Sequence, residues 1–189
     1  MEFMYGFLAL IVIVGAYVAA TYNKLVGLRV AQKEAWSDIT VQMKRRYDLI
    51  PNLVETVKGY ASHEKETLER VISARSAAVD NTGDPTAQAG SENILSGALR
   101  QLFALSEAYP DLKANSNFND LSQKIHHIED HIQKARRFYN GNVRLLNIAV
   151  QEFPSNIVAG MFNFTRAEFF ELDEAENAAV AEAPRVSFD

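Results

Sequence analysis

The sequence has 189 residues and a formal net charge of −5 at pH 7, which suits one domain of ordinary size with an appendage. Because 48% of the residues are hydrophobic the chain can bury a core, and its acidic balance argues against a general nucleic-acid binder. It contains no cysteine, which excludes a disulfide framework, a thiol nucleophile and a thiolate metal site.

The N-terminal segment predicts a membrane anchor. Residues 3–23, FMYGFLALIVIVGAYVAATYN, carry no charged side chain, and a helix of about 20 residues rises roughly 30 Å, the thickness of the hydrocarbon core. The alternative is a cleaved signal peptide with residues 18–20 as its small-residue site, but no Lys or Arg precedes the apolar run. Basic residues follow it instead, at Lys24, Arg29 and Lys33. By the positive-inside rule we expect a single-pass inner-membrane protein with a short N-terminus outside and its body in the cytoplasm.

The chain after the anchor keeps helical spacing. Apolar side chains recur every three or four residues from Trp36 to Val71, which predicts one amphipathic helix that runs to about Val79. We expect this helix to leave the anchor without a loop, because residues 21–35 contain no proline and one glycine. Pro51 costs about 3 kcal/mol inside a helix, but Ile50 before it is a poor cap. A kinked continuous helix is therefore expected rather than a new start.

A turn and a second helix are expected next. The segment DNTGDP, residues 80–85, places Gly83 where the first helix breaks and Asp84 where it can cap the helix that follows. This second helix is predicted from Asp84 to Tyr109. It ends there because the residue before a proline, here Pro110, is forced out of the helical region.

The third helix has the clearest periodicity in the chain. Ser116 is expected to cap it and Pro154 to close it. A short fourth helix, or two helical pieces interrupted near Asn163, should follow. The predicted fold is all-α: a single N-terminal transmembrane helix followed by an elongated antiparallel helical bundle of three long helices plus a short fourth. The predicted domains are an anchor at residues 1–22, the bundle at residues 23–172, and an acidic, Ala-rich tail at residues 173–189.

Four histidines are the candidates for metal chemistry. Three stand in IHHIEDHIQ as His126, His127 and His131, and the last two lie four residues apart on one helix face, as in a two-ligand metal grip. The H-E-x-x-H order of a zincin is absent, and the remaining histidine, His63, belongs to a different helix. We therefore predict no metal site, no cofactor and no catalytic residues, and we interpret these histidines as solvated.

A second hypothesis concerns phosphotransfer. The stretch ASHEKETLE, residues 61–69, has a faint similarity to the histidine box of two-component sensor kinases, but it lacks the proline of that box and no Gly-rich nucleotide motif follows. Nearby, the adjacent Arg45 and Arg46 are interpreted as pairing with carboxylates of the bundle or as solvated side chains.

Several long blocks of the sequence resemble the LemA family of bacterial membrane proteins. They are YNKLV, WSDITVQMKRRYDLIPNLVETVKGYASHE, EAYPDLKAN, ARRFYNGNV and FPSNIVAGMFNF…FFE, and the resemblance extends from Tyr22 to Phe188. It implies an N-terminal transmembrane helix, a short external N-terminus, a cytoplasmic helical bundle and no established catalytic activity. It supplies no functional residues to transfer to this chain.

The function predicted from these observations is a membrane-anchored scaffold or protein-interaction module without catalytic activity or a small-molecule substrate. The alternative is a signalling module of the phosphotransfer type. The expected partners are the lipid bilayer, further copies of the chain, and other membrane or envelope proteins. Self-association is predicted because the second helix should leave an apolar stripe of the first uncovered, at Leu25, Leu28, Trp36, Ile39 and Met43. The alternative is that the fourth helix or the tail folds back over this stripe.

Overall fold

The computed structural model describes residues 1–81 and 83–171, and within those residues it contains helices and no strand. The helices are α1 (Glu2–Lys58), α2 (Lys65–Asp80), α3 (Pro85–Ala108), α4 (Pro110–Lys113), α5 (Ser116–Gln151) and α6 (Ser155–Met161). The all-α prediction, with one long apolar N-terminal helix followed by a helical bundle, is confirmed. The predicted tail at residues 173–189 lies outside the described residues.

Helix α1 runs without a loop from the apolar segment into the body of the protein. It is continuous from Glu2 to Lys58 and contains Pro51, so the predicted loop-free exit and the helix that continues through the proline are both confirmed. The ring of Pro51 removes one backbone hydrogen bond, but the buried side chains of Ile50, Leu53 and Val54 hold this part of the helix in place.

The predicted extension of the first helix to Val79 is wrong. Helix α1 ends at Lys58, and residues 59–64 form a turn in which the backbone N–H groups of Tyr60 and Ala61 both donate to the carbonyl of Val57, at 3.0 and 2.8 Å. Gly59 is the weakest helix former in this stretch, and Ala61 is fully buried. Periodicity does not reveal the turn, because the apolar residues on both sides of it stay in one three- and four-residue series.

The boundaries of the other helices follow local chemistry. Asp84 caps α3, its carboxylate accepting the N–H of Thr86 at 3.1 Å, and Pro85 occupies the first turn, as predicted. At the start of α5 the cap is Asn115 rather than Ser116, because the Asn115 side chain accepts the N–H of Phe118 at 2.9 Å. The chain after α6 turns at Asn163, whose φ is +54°, and residues 164–171 form no further helix.

The described residues form two compact units. The first contains residues 1–41 and 133–169, and the second contains residues 42–132 and 170–171. In the first unit, α5 and α6 pack around the C-terminal end of the apolar segment of α1. The core there consists of Leu25, Ala149, Val158, Ala159 and Phe164.

The exposed stripe predicted on α1 is wrong. Leu25 and Ile39 are 0% exposed and Met43 is 3% exposed. The C-terminal half of α5 does not lead away from the membrane segment but returns beside it, where the rings of Trp36 and Tyr139 lie 5.3 Å apart. With α6 it packs around Leu25 and Leu28, so the alternative, coverage by the fourth helix, holds for this end of the stripe.

Candidate functional site

The N-terminal part of α1 is the first candidate functional element. It is long and apolar enough to cross a membrane, and none of its most apolar stretch is buried against the rest of the protein. Phe3, Leu10 and Ile13 are 96%, 56% and 65% exposed. Large apolar side chains exposed together over the length of a bilayer core are typical of a membrane-spanning segment.

The second candidate is a buried charged cluster in the second unit. Its members are Arg46 and Tyr47 of α1, Gln88 and Glu92 of α3, and Glu129 of α5. The guanidinium of Arg46, 1% exposed, forms ion pairs with the carboxylates of both Glu92 and Glu129. Glu92 is also 1% exposed. Charges as deeply buried as these are retained only when they are paired.

Neutral groups complete the cluster around Glu92. The hydroxyl of Tyr47 donates to Glu92 Oε1, and Gln88 Nε2 lies 2.9 Å from the same oxygen and 3.1 Å from the Tyr47 hydroxyl. Burial raises the pKa of the Tyr47 phenol above its ordinary value of 10.0; the Arg46 charge and the Gln88 hydrogen bond oppose this shift, and the Glu129 charge adds to it. Tyr47 is therefore held in its neutral, hydrogen-donating form.

This arrangement is suited to specifying which helices pack together rather than to chemistry on a substrate. The charged groups bond to one another across α1, α3 and α5, and a buried ion pair often contributes more to a unique arrangement than to net stability. Arg46 Nε, which has no hydrogen-bond partner among the described residues, shows that the pairing carries a cost.

The sequence indicates the arginine side of this cluster and gives a weaker sign of the residues on α3. Pairing of the tandem arginines with carboxylates holds for Arg46, whereas Arg45 is exposed. Gln88 and Glu92 were overlooked, although they lie four residues apart and lead directly into the apolar series of α3 that begins at Leu95. Polar residues in line with an apolar stripe were the available sign that these side chains are buried.

The histidines are placed apart from the buried cluster. His126, His127 and His131 are exposed on α5, with the rings of the last two 4.5 Å apart. His126 Nδ1 lies 2.7 Å from the carbonyl of Ser122. Within the part of the chain that the structure describes, no group of three or more His, Asp or Glu side chains is arranged to hold a metal ion. His63 lies in the turn between α1 and α2 and not on a helix, unlike the helical histidine of a phosphotransfer box.

An open groove of about 570 Å³ lies on the surface of the second unit. Its charged side chains carry both signs, and Lys124 pairs with Asp120 at 2.7 Å inside it. Because both signs of charge are present, the groove favours neither an anionic nor a cationic ligand. The residues that line the groove are Arg45, Asp48, Leu49, Asp120, Gln123, Lys124, His127 and Ile128.

The exposed apolar segment and the packed helices together define a membrane-associated protein with an all-α body. Residues 35–188 match the LemA family. Protein LemA of Metamycoplasma hominis is 30% identical over 152 residues, which cover 78% of this chain and 68% of that protein. The chain belongs to the LemA family, as the sequence blocks indicated.

Two further relatives carry a different name. Magnetosome protein MamQ 2 of Paramagnetospirillum magneticum is 25% identical over 184 residues, covering 84% of this chain and 68% of the relative. Magnetosome protein MamQ of Magnetospirillum gryphiswaldense is 22% identical over 174 residues, covering 79% and 64%. None of the three names states an enzymatic activity.

Proposed function

We propose that this chain is a membrane-anchored scaffold or protein-interaction module of the inner membrane that performs no catalysis. The observation that carries the proposal is the continuity of α1 in the first unit, where one helix leads from the exposed apolar segment into the packed core around Leu25. Because no loop separates the two, α5 and α6 assemble directly on the stem of the membrane helix. Such a construction suits a protein that presents its helices at a membrane surface.

The chemistry of the buried cluster supports a structural role. Arg46 and Glu92, the most deeply buried ion pair among the described residues, are bonded to each other and to side chains of the cluster. A catalytic acid or base must reach a substrate in a cleft, whereas these groups face the interior of the second unit.

The orientation that we propose places the body in the cytoplasm. Lys24, Arg29 and Lys33 follow the apolar segment within ten residues, and only Glu2 is charged before it. Because basic residues favour the cytoplasmic side of a span, this distribution supports an external N-terminus.

The orientation is testable because the chain has no cysteine of its own. A Val41→Cys variant carries its thiol on an exposed position of α1 beyond the membrane segment, and Glu2→Cys carries it before that segment. In intact cells a membrane-impermeant maleimide should label Glu2→Cys only, and both variants should react after lysis. Labelling of Val41→Cys in intact cells would reverse the proposed orientation.

The scaffold role is tested by photo-crosslinking the full-length chain in native membranes. A photoreactive residue at Ile72 or Ile94, which are 53% and 63% exposed, should join the chain to defined membrane or envelope proteins. The same residue at Leu10 is the matched control and should crosslink mainly to lipid. Mass spectrometry distinguishes another protein from a second copy of the chain. Absence of any protein adduct at both body positions would contradict the proposal.

A further inference from the structure

Helix α6 and its flanks form an uncharged apolar surface beside the membrane segment. The run from Phe153 to Thr165, FPSNIVAGMFNFT, contains no charged residue. One face of α6, at Val158 and Ala159, is buried in the core of the first unit. Phe164 is buried there too, and the exposed large apolar side chains of the run are Phe153 at 76%, Ile157 at 55%, Met161 at 64% and Phe162 at 45%.

The level of α6 along α1 is set by the residues that it packs against. Its core partners on α1 are Leu25 and, partly buried, Val18 and Leu28. At 1.5 Å per residue, Val18 lies about 7 Å before Asn23, the end of the uncharged run of α1, and Leu28 lies about 7 Å after it. The α6 region is therefore level with the end of the membrane-spanning segment.

The contacts around this level are those of a membrane–water boundary. The ring of Tyr22 lies 4.7 Å from that of Phe162 and 5.8 Å from that of Phe164. The guanidinium of Arg29 lies over the Phe164 ring, 3.9 Å from its centroid. Tyrosine concentrates at bilayer interfaces, and basic groups there meet lipid phosphates. An apolar side chain exposed at this depth is adjacent to lipid rather than to bulk water.

We infer that α6 is a second membrane-contacting element, which inserts Phe153, Ile157 and Met161 into the boundary between headgroups and acyl chains of the bilayer that α1 crosses. Apolar side chains of helices that lie in a bilayer interface reach about 5–10 Å into this boundary. The inference rests on the membrane attachment of α1 and does not require the scaffold role. Its physical consequence is that the first unit is fixed at the membrane surface by two elements instead of one.

Site-specific spin labelling tests the insertion, since single-cysteine variants of this chain need no background substitutions. The full-length Ile157→Cys and Met161→Cys variants would carry a nitroxide in vesicles of phosphatidylethanolamine and phosphatidylglycerol. Collisions with oxygen, which concentrates in lipid, are compared with collisions with a water-soluble nickel chelate. Phe153→Cys provides a third position if either variant folds poorly by circular dichroism.

Two controls on α1 bracket the expected result. Leu10→Cys lies in the middle of the membrane segment, and Val41→Cys, 47% exposed, lies about 27 Å beyond Asn23 along the same helix. We expect the oxygen-to-nickel collision ratio at Ile157 and Met161 to lie between the two controls, several-fold above that at Val41 and below that at Leu10.

Three outcomes would overturn the inference. A ratio at both α6 positions equal to that at Val41 would place this surface in water while leaving the attachment of α1 intact. Low access to both reagents, with dipolar broadening between labels on different copies, would show that a second copy covers the surface. A water-like ratio at Leu10 would remove the membrane attachment itself.

Discussion

Replacing Arg46 by methionine in the full-length chain tests whether the buried cluster holds the second unit together. The substitution leaves the Glu92 carboxylate, which is 1% exposed, without its cation. Removing one partner of a buried ion pair costs about 3–5 kcal/mol. Protonation limits this cost, because an ordinary glutamate requires about 3.7 kcal/mol to take up a proton at pH 7. The Glu129 side chain is 30% exposed, so it can turn to water at little cost. We therefore expect a loss of about 3–4 kcal/mol.

The neighbouring arginine provides a matched control. Arg45 is exposed, so Arg45→Met should change the free energy of unfolding by no more than about 0.5 kcal/mol. The double variant Arg46→Met/Glu92→Gln removes both charges and keeps an oxygen that accepts from Tyr47. It should therefore recover most of the loss caused by Arg46→Met alone.

Urea unfolding in a mild detergent, followed by far-ultraviolet circular dichroism, measures these differences. Domains of ordinary stability unfold with about 5–15 kcal/mol, so a loss of about 3–4 kcal/mol, as expected for a broken buried pair, shifts the midpoint clearly. If Arg46→Met costs no more than Arg45→Met, or if the double variant is as unstable as the single one, the buried pair does not organise these helices.

Three further predictions concern stability. Because burial raises the pKa of Tyr47 above 10.0, the stabilising effect of its neutral hydroxyl is complete below pH 10 and is lost as the pH rises further, where the unfolded chain ionises first. The melting temperature of the unchanged chain should therefore fall more steeply above pH 10 than that of Tyr47→Phe. Parallel curves of melting temperature against pH would disprove this. Gly83 has a φ of +112°, so Gly83→Ala should cost about 1–2 kcal/mol. Gly90 lies inside α3, where a Cβ added by substitution would meet open space, so Gly90→Ala should stabilise by about 0.5–1 kcal/mol. Urea midpoints of the two variants that move in the same direction would be inconsistent with the turn. Asp84→Ala removes the cap of α3 and should lower the free energy of unfolding by about 1 kcal/mol. Asp84→Asn keeps a capping oxygen and should retain most of that stability. Equal stability of the two variants would show that the cap is unimportant.

The helix boundaries show what short-range chemistry reveals. The turn at Gly83, the cap at Asp84 and the end of α3 before Pro110 were all predicted, because each depends on a residue whose backbone preference acts locally. The turn at residues 59–64 was missed for the complementary reason. A single glycine inside a helix costs only about 1 kcal/mol, so whether Gly59 ends the helix depends on what Ala61 is buried against.

The buried cluster could not have been predicted in full from the sequence. Arg46 and Glu92 are 46 residues apart in number, and no spacing rule joins them; their pairing depends on α1 and α3 lying side by side. Arg45, the exposed member of the adjacent pair, lies about 100° from Arg46 around the helix axis. Which of the two faces the interior is decided by the packed helices.

The sequence by itself determined the membrane segment, the all-α class and the family, because an uncharged run of bilayer length, a helical period and ordered motif blocks are properties of neighbouring residues. Only the tertiary structure decided that α5 and α6 cover Leu25, that Arg46 is buried with two carboxylates, and that the surface at Ile157 and Met161 lies level with the end of the membrane segment. These facts depend on which distant helices meet, and that choice is set by the combined burial of many side chains rather than by any one stretch of sequence.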